Sequence, residues 1–305
     1  MKVLVTGAAG YVGRAVVGAL RAGGHEPIAL VRPGGASGRR IEGAGAVRVA
    51  DIGDVVGLRA AVAGVEVVCH LAGLGRARES VGDPVPFFRV NVGGTVAVLE
   101  AMAAEGVSRI VLASTGAIYG SPARQPMDEG TPDAPPHPYA SSKLAAEFVV
   151  DAQARAGVAG AVAVRLMNVA GGADPEPSRL IPRVLAAAMG ESVLRINGDG
   201  SAVRDYVHVR DAAAAFAACV EQCPEPGASA RYVIGSGCGT SILDVVAAVE
   251  RVTGRPVRRV HGAAAAEPAR LIGDPGRALS ELGWAPKHSD IDVIVEDTWR
   301  AIAEG

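Results

Sequence analysis

KVLVTGAAGYVG, residues 2–13, decides the fold class. KVLVT (2–6) is an aliphatic run of strand length, and glycines at 7, 10 and 13 interrupt it at once. Residues 11–21 then take up the apolar spacing of a helix. Strand, glycine turn and helix in that order open a βαβ unit. Its G-x-x-G-x-x-G turn lets the backbone approach a pyrophosphate, and the helix N-terminus favours the negative charge. Gly7, Gly10, Tyr11, Val12 and Gly13 are therefore candidate dinucleotide contacts. A glycine turn alone is weak evidence in a chain with 40 glycines; the strand before it and the helix after it make this one specific.

The alternation continues through PIALV (27–31), AVRVA (46–50), VEVVCHLA (65–72), SRIVLAS (108–114) and AVAVRLMN (161–168). Helical patterns at 90–105 and 139–156 are long enough to connect parallel strands. The expected fold is α/β, a Rossmann-type doubly wound parallel sheet with a smaller interleaved C-terminal substrate lobe. Prolines at 175, 177 and 182 break the rhythm, and helices are expected at 180–189 and 242–252. Residues 1–170 are read as the dinucleotide-binding domain, and 171–305 as mainly the substrate lobe, interleaved with the first.

Composition narrows the classes. The chain has 305 residues, 49% hydrophobic but only 4% aromatic, which suits helices packed on a buried parallel sheet. A net charge of -2 gives no reason to expect nucleic acid, and Arg39-Arg40 and Arg258-Arg259 read as isolated surface pairs. No continuous run approaches the roughly 18 apolar residues of a membrane span, and no signal-peptide pattern follows Met1. A cytoplasmic protein with reduced thiols at Cys69, Cys219, Cys223 and Cys238 is expected, without a bound metal.

The end of the second strand, where an acid would bind the ribose 2′-hydroxyl of NAD, holds Val31-Arg32. Arg32, with Arg14, could pair with the 2′-phosphate of NADP; it could equally stack on adenine or face solvent. Asp51-Ile52 after the third strand is a candidate adenine contact, or the cap of the next helix.

Tyr139 and Lys143 stand four apart on one helix face. A phenol of pKa ~10 must drop about three units to act as a base at neutral pH, roughly 4 kcal/mol. One Lys charge at ~4 Å supplies energy of that order at an effective dielectric of 20, and an oxidised nicotinamide adds to it.

VTGAAGYVG (5–13), HLAG (70–73), NVGGT (91–95) and PYASSKLAAE (138–147) together resemble the extended short-chain dehydrogenase/reductases, almost end to end. That group contains nucleotide-sugar epimerases, dehydratases and ketoreductases. The resemblance implies NAD or NADP as cofactor, with Leu71, Ala72, Gly73, Asn91, Tyr139 and Lys143 among its contacts, and a homodimer formed through two helices. ASTGAIYG (113–120) resembles the segment carrying the hydroxyl partner of the tyrosine; counting back from Tyr119 selects Thr115, with Ser114 as the alternative. A nucleotide-sugar substrate is implied, with Asn168 near its diphosphate and Arg204, in NGDGSAVRDYVHVRDAA (197–213), on phosphate. His208 is expected to be structural. Where the family's diphosphate-clamping Arg would fall, this chain has Ala264, and Arg270 is the candidate replacement.

Gly116 and Ala117 occupy the two positions where the family's sugar dehydratases carry an acidic pair, so elimination is disfavoured. C4 epimerisation through a transient 4-ketose needs only Tyr, Lys, Thr and the nicotinamide. Reduction of a keto sugar by NADPH is the alternative, and Arg32 favours it. A cofactor-binding sensor on the same fold would do no chemistry and would not need the Tyr139/Lys143 pair.

Overall fold

The computed structural model describes residues 1–34, 40–264 and 268–304; Arg39, Ala265 and Ala266 lie outside the described residues. The first six strands are β1 (Lys2–Thr6), β2 (Glu26–Val31), β3 (Ala46–Val49), β4 (Val67–His70), β5 (Arg109–Thr115) and β6 (Gly160–Leu166). Then come β7 (Asn168–Ala170), β8 (Leu194–Asn197), β9 (Val203–His208), β10 (Ser229–Ile234), β11 (Gly239–Ser241), β12 (Arg259–Gly262) and β13 (Arg270–Leu271). The 7-stranded main sheet is parallel, in the order β10-β6-β5-β4-β1-β2-β3. The chain leaves β1 toward β2 on one side and returns to β4 on the other, so a crevice opens at the carboxyl ends of β1 and β4. The sequence reading missed β10, which comes from the second half of the chain and completes the sheet beside β6.

The helices are α1 (Tyr11–Ala22), α2 (Val55–Val62), α3 (Ala77–Gly82), α4 (Val85–Phe88), α5 (Gly94–Ala104), α6 (Pro138–Arg155), α7 (Leu180–Ala188), α8 (Val209–Glu221), α9 (Ile242–Thr253), α10 (Gly276–Leu282) and α11 (Ile291–Glu304). Strand alternation sorts β1 between two layers. Val3 and Val5 pack with Val16, Val17 and Leu20 of α1 and Phe216 of α8. Leu4 faces the other way, onto Leu58 of α2, Val98 and Met102 of α5 and Val150 of α6. Each such fully buried aliphatic side chain is worth about 1.5–3 kcal/mol.

The 20-residue stretch Val85–Ala104 is long and apolar enough by composition to cross a membrane, which the sequence reading did not anticipate; half of it is buried in the protein. A π turn, Arg89–Gly93, interrupts it and buries Asn91. Thr95 Oγ1 donates to the Asn91 carbonyl at 2.6 Å.

In the smaller lobe β9 pairs with β7, β11 and β13, and β8 with β12. Its core joins α7, α9 and α11 through Val184, Leu185, Val245, Val249, Ile294 and Val295. Asp205 in β9 is fully buried and ties the lobe to the end of β10, accepting from the backbone N–H groups of Ser236 (2.7 Å), Gly237 (3.2 Å) and Gly273 (3.1 Å). His208 is structural. Its Nδ1 caps α8 by accepting from Arg210 N at 3.0 Å, so Nε2–H donates to Asp297 at 3.1 Å.

Candidate active site

The glycine turn is built so that no side chain fits. A Cβ on Gly7 (φ +67°) would lie 2.8 Å from Ala72 N, and one on Gly13 would lie 2.1 Å from the Gly7 carbonyl oxygen. The turn is thereby pressed against both the end of β4 and the first turn of α1. Gly10 begins α1 without a side-chain cap, and no acid lies in the helix's first turn, so the N-terminal N–H groups and the positive end of the dipole suit a pyrophosphate. At the crevice floor Thr6 Oγ1 accepts from Ala72 N at 3.0 Å and shares a hydrogen bond of 2.7 Å with His70 Nδ1. His70 is neutral: burial first, then the Lys143 charge, depress its pKa to about 3.

Helix α6 positions the chemical groups. His137 caps it, its Nδ1 accepting from Ala140 N at 3.2 Å, and Pro138 sets the first turn. Tyr139 follows, its ring edge-on to Phe87 at 6.5 Å and stacked on His137 at 5.8 Å. Burial raises the Tyr139 phenol, while its hydrogen bond with Thr115 and the charge of Arg179 lower it. Lys143 is 7% exposed and donates from Nζ to the Ala113 carbonyl at 2.9 Å. Burial pulls it down to about 8, with the Glu147 charge opposing. Asn91 fixes the neighbouring loop: Oδ1 accepts from Leu74 N at 2.8 Å, and Nδ2 donates to Leu74 O at 3.1 Å and to Ser142 Oγ at 2.9 Å. Gly73 leaves room for both side chains: a Cβ there would meet Asn91 Oδ1 at 2.7 Å and Lys143 Nζ at 3.2 Å.

Thr115 and Ser114 have separate tasks. The Thr115 hydroxyl acts to lower the Tyr139 phenol, whereas the Ser114 hydroxyl donates to buried Glu147. The space beside Gly116 is filled by Met167, whose Sδ would lie 2.4 Å from a Cβ there.

The remaining candidates are spread more widely. Asp51 is exposed and accepts from Gly53 N at 2.8 Å; the cap of α2 is Asp54. Ile52 is buried against Gly94. Arg32 is exposed just past β2, and Arg14 donates to the Ala9 carbonyl at 3.0 Å. Leu71 donates its N–H to Thr6 O at 3.3 Å, and Val12 is half-buried in the first turn of α1. Asn168 is exposed at the start of β7. Arg204 Nη1 donates to the carbonyls of Val203 and Pro268, both at 2.8 Å, and Arg270 is exposed on β13 beside it.

A profile of the NAD dependent epimerase/dehydratase family matches residues 3–235. The chain belongs to this family. It is 38% identical to a UDP-glucose 4-epimerase of Streptomyces lividans over 98% of this chain and 95% of that protein. Among solved structures it resembles the UDP-glucose 4-epimerase of Brucella ovis in complex with NAD, with a TM-score of 0.91, 34% identity and 98% coverage of both chains. It also resembles a Stenotrophomonas maltophila UDP-glucose-4-epimerase with bound NAD and formylated UDP-arabinopyranose, with a TM-score of 0.92, 29% identity and coverage of 100% and 98%. The cradle around Gly7, Gly10 and Gly13 fits the family's NAD.

Two charged side chains near the site, Arg179 and Arg76, were not singled out from sequence. Arg179, at the start of α7, lies over the Tyr11 ring at 5.4 Å, pairs with Asp174 at 3.0 Å and acts on the Tyr139 phenol. Arg76 crosses from the loop after β4 to Glu176 at 3.0 Å. Neither residue carries a motif, because Tyr11 and Tyr139 are brought to Arg179, and Glu176 to Arg76, by the fold.

Proposed function

We propose that this protein interconverts the C4 epimers of a uridine diphospho-sugar, with NAD retained through each cycle. The observation that carries the reading is the Thr115–Tyr139–Lys143 arrangement at the carboxyl edge of the sheet, in a site where Met167 rather than a carboxylate fills the space beside Gly116. NAD, when bound, supplies the acceptor and donor for the hydride at C4. Tyr139 exchanges the proton of the C4 hydroxyl, and Thr115 bonds the same oxygen as it becomes a ketone and returns. Burial holds the Tyr139 phenol above its ordinary value against the Thr115 hydroxyl and the Arg179 charge, and the charges of Lys143, one turn along α6, and of oxidised NAD are what would bring it down for proton transfer. Asn91 and Gly73 hold the cofactor-side wall next to Lys143. Asn168, Arg204 and Arg270 of the lobe take the diphosphate, and Arg32 lies outside the chemistry.

The family match and the 38% identical epimerase support this reading. A homodimer fits the exposed Val85 and Phe88 on α4 and Phe148 on α6, an apolar face on the two helices next to the catalytic turn. Native mass spectrometry is then expected to give twice 30.8 kDa with NAD bound. The functional test is incubation with UDP-galactose without added cofactor: UDP-glucose should accumulate to equilibrium, and inert sugar or stoichiometric use of NADPH would refute the reading.

A further inference from the structure

Tyr139, Lys143 and Glu147 follow one another at four-residue intervals along one stripe of α6. Each meets the carboxyl end of β5: Tyr139 through Thr115, Lys143 through the Ala113 carbonyl at 2.9 Å, and Glu147 through the Ser114 hydroxyl. Glu147 is 3% exposed. Arg165 of β6, fully buried, grips it with Nε at 3.0 Å from Oε1 and Nη2 at 2.8 Å from Oε2. The other arm of Arg165 reaches Asp133 Oδ1 at 2.6 Å, and its guanidinium covers the Tyr119 ring at 4.7 Å. Arg231 of β10 comes within 3.3 Å of Glu147 Oε2. A buried ion pair adds little net stability compared with apolar residues of the same volume, so stability alone does not account for this one beneath a catalytic helix.

We propose that Glu147 is a positioning residue of the reaction: it locks α6 in register with β5 and sets a carboxylate one helical turn beyond the Lys143 ammonium. The inference rests on the epimerase reading above. On α6 Lys143 has Tyr139 one turn before it and Glu147 one turn after it; Glu147 acts on its charge, and His70, which is neutral, meets it from β4. Behind Glu147 stand Arg165 on β6, Arg231 on β10 and Asp133, while Arg179 of the lobe acts on Tyr139. Of these, Glu147 is the group that opposes the effect of burial on Lys143.

The experiment is the pH profile of kcat for the NAD-loaded protein. Loss of the Lys143 proton sets the alkaline limb, because the phenol then loses its nearby cation. Glu147→Gln should move that limb down by about one pH unit, with KM and NAD content little changed. Arg231→Met removes a cation from the carboxylate, and should move the limb the other way. A merely structural role gives no such opposite shifts. Limbs that stay in place, or move together, overturn the proposal; if Glu147→Gln does not fold, an upward shift in Arg231→Met alone supports it and an unmoved limb overturns it. Should the wild type lack turnover, the epimerase reading fails instead. Lys143 ionisation is then read from the pH dependence of stability, comparing Lys143→Met in the wild-type and Arg231→Met backgrounds.

Discussion

Replacing Lys143 by Met should make the cofactor-free protein more stable and the NAD-loaded protein less active. Folding holds this side chain 7% exposed and lowers its pKa from 10.5 to about 8. A drop of about 2.5 units, at ~1.36 kcal/mol each, means that keeping the buried cation costs about 3 kcal/mol at pH 7. The sign follows from proton counts. Between pH 8 and 10.5 the unfolded chain binds more protons than the folded one, so wild-type stability rises with pH across that window. Below about 8 the whole cost is present; above 10.5 it is gone. Met removes the cost but leaves the Ala113 carbonyl without its donor, a loss of about 1 kcal/mol. The net expectation is a gain of about 2 kcal/mol at pH 7 that fades and reverses by pH 10.5. Turnover should fall by roughly 10²–10⁴. Urea unfolding of both proteins at neutral and alkaline pH reads the stability, and conversion of UDP-galactose reads the activity. A variant no more stable than wild type at pH 7, or a difference independent of pH, would refute the reasoning.

Tyr139→Phe should lose about 10²–10⁴ in turnover while NAD content stays at the wild-type level; near-normal turnover would remove Tyr139 from its role. Gly13→Ala places a methyl 2.1 Å from the Gly7 carbonyl oxygen, and its NAD content after purification should collapse while an unchanged content would show that the turn is not the cradle. Arg204→Ala should raise KM for the nucleotide sugar about tenfold without changing NAD binding, and equal weakening of both ligands would misplace Arg204.

Local patterns carried the first half of the fold because inner parallel strands such as β1 and β5 are buried on both faces and read as aliphatic runs. β1 begins and ends where KVLVT does. β10 was hidden because SARYVI lies far along the chain from β6, its partner, in the half where the strand–helix rhythm has loosened. The Tyr139/Lys143 pair proposed for the chemistry was singled out by its i, i+4 spacing and the resemblance. Its support was not: Glu147 stood in the quoted PYASSKLAAE, but Ser114, Arg165 and Arg231 come from three different strands, and only the sheet order brings them to one carboxylate. Asp51 was a reasonable cap by residue type, yet the helix starts three residues later and Asp54 accepts from Val56 N and Gly57 N. The apolar character of Val85–Ala104 was likewise masked in sequence by Arg89, Asn91 and Glu100.

The central claim, C4 epimerisation with retained NAD, is tested most directly with UDP-galactose deuterated at C4 and purified protein, without added cofactor. The account predicts UDP-glucose that keeps the deuterium at C4, because the hydride taken from that carbon is returned to it, with no net formation of reduced cofactor. Product that has lost the label to solvent, or no product until NADPH is supplied, would contradict it.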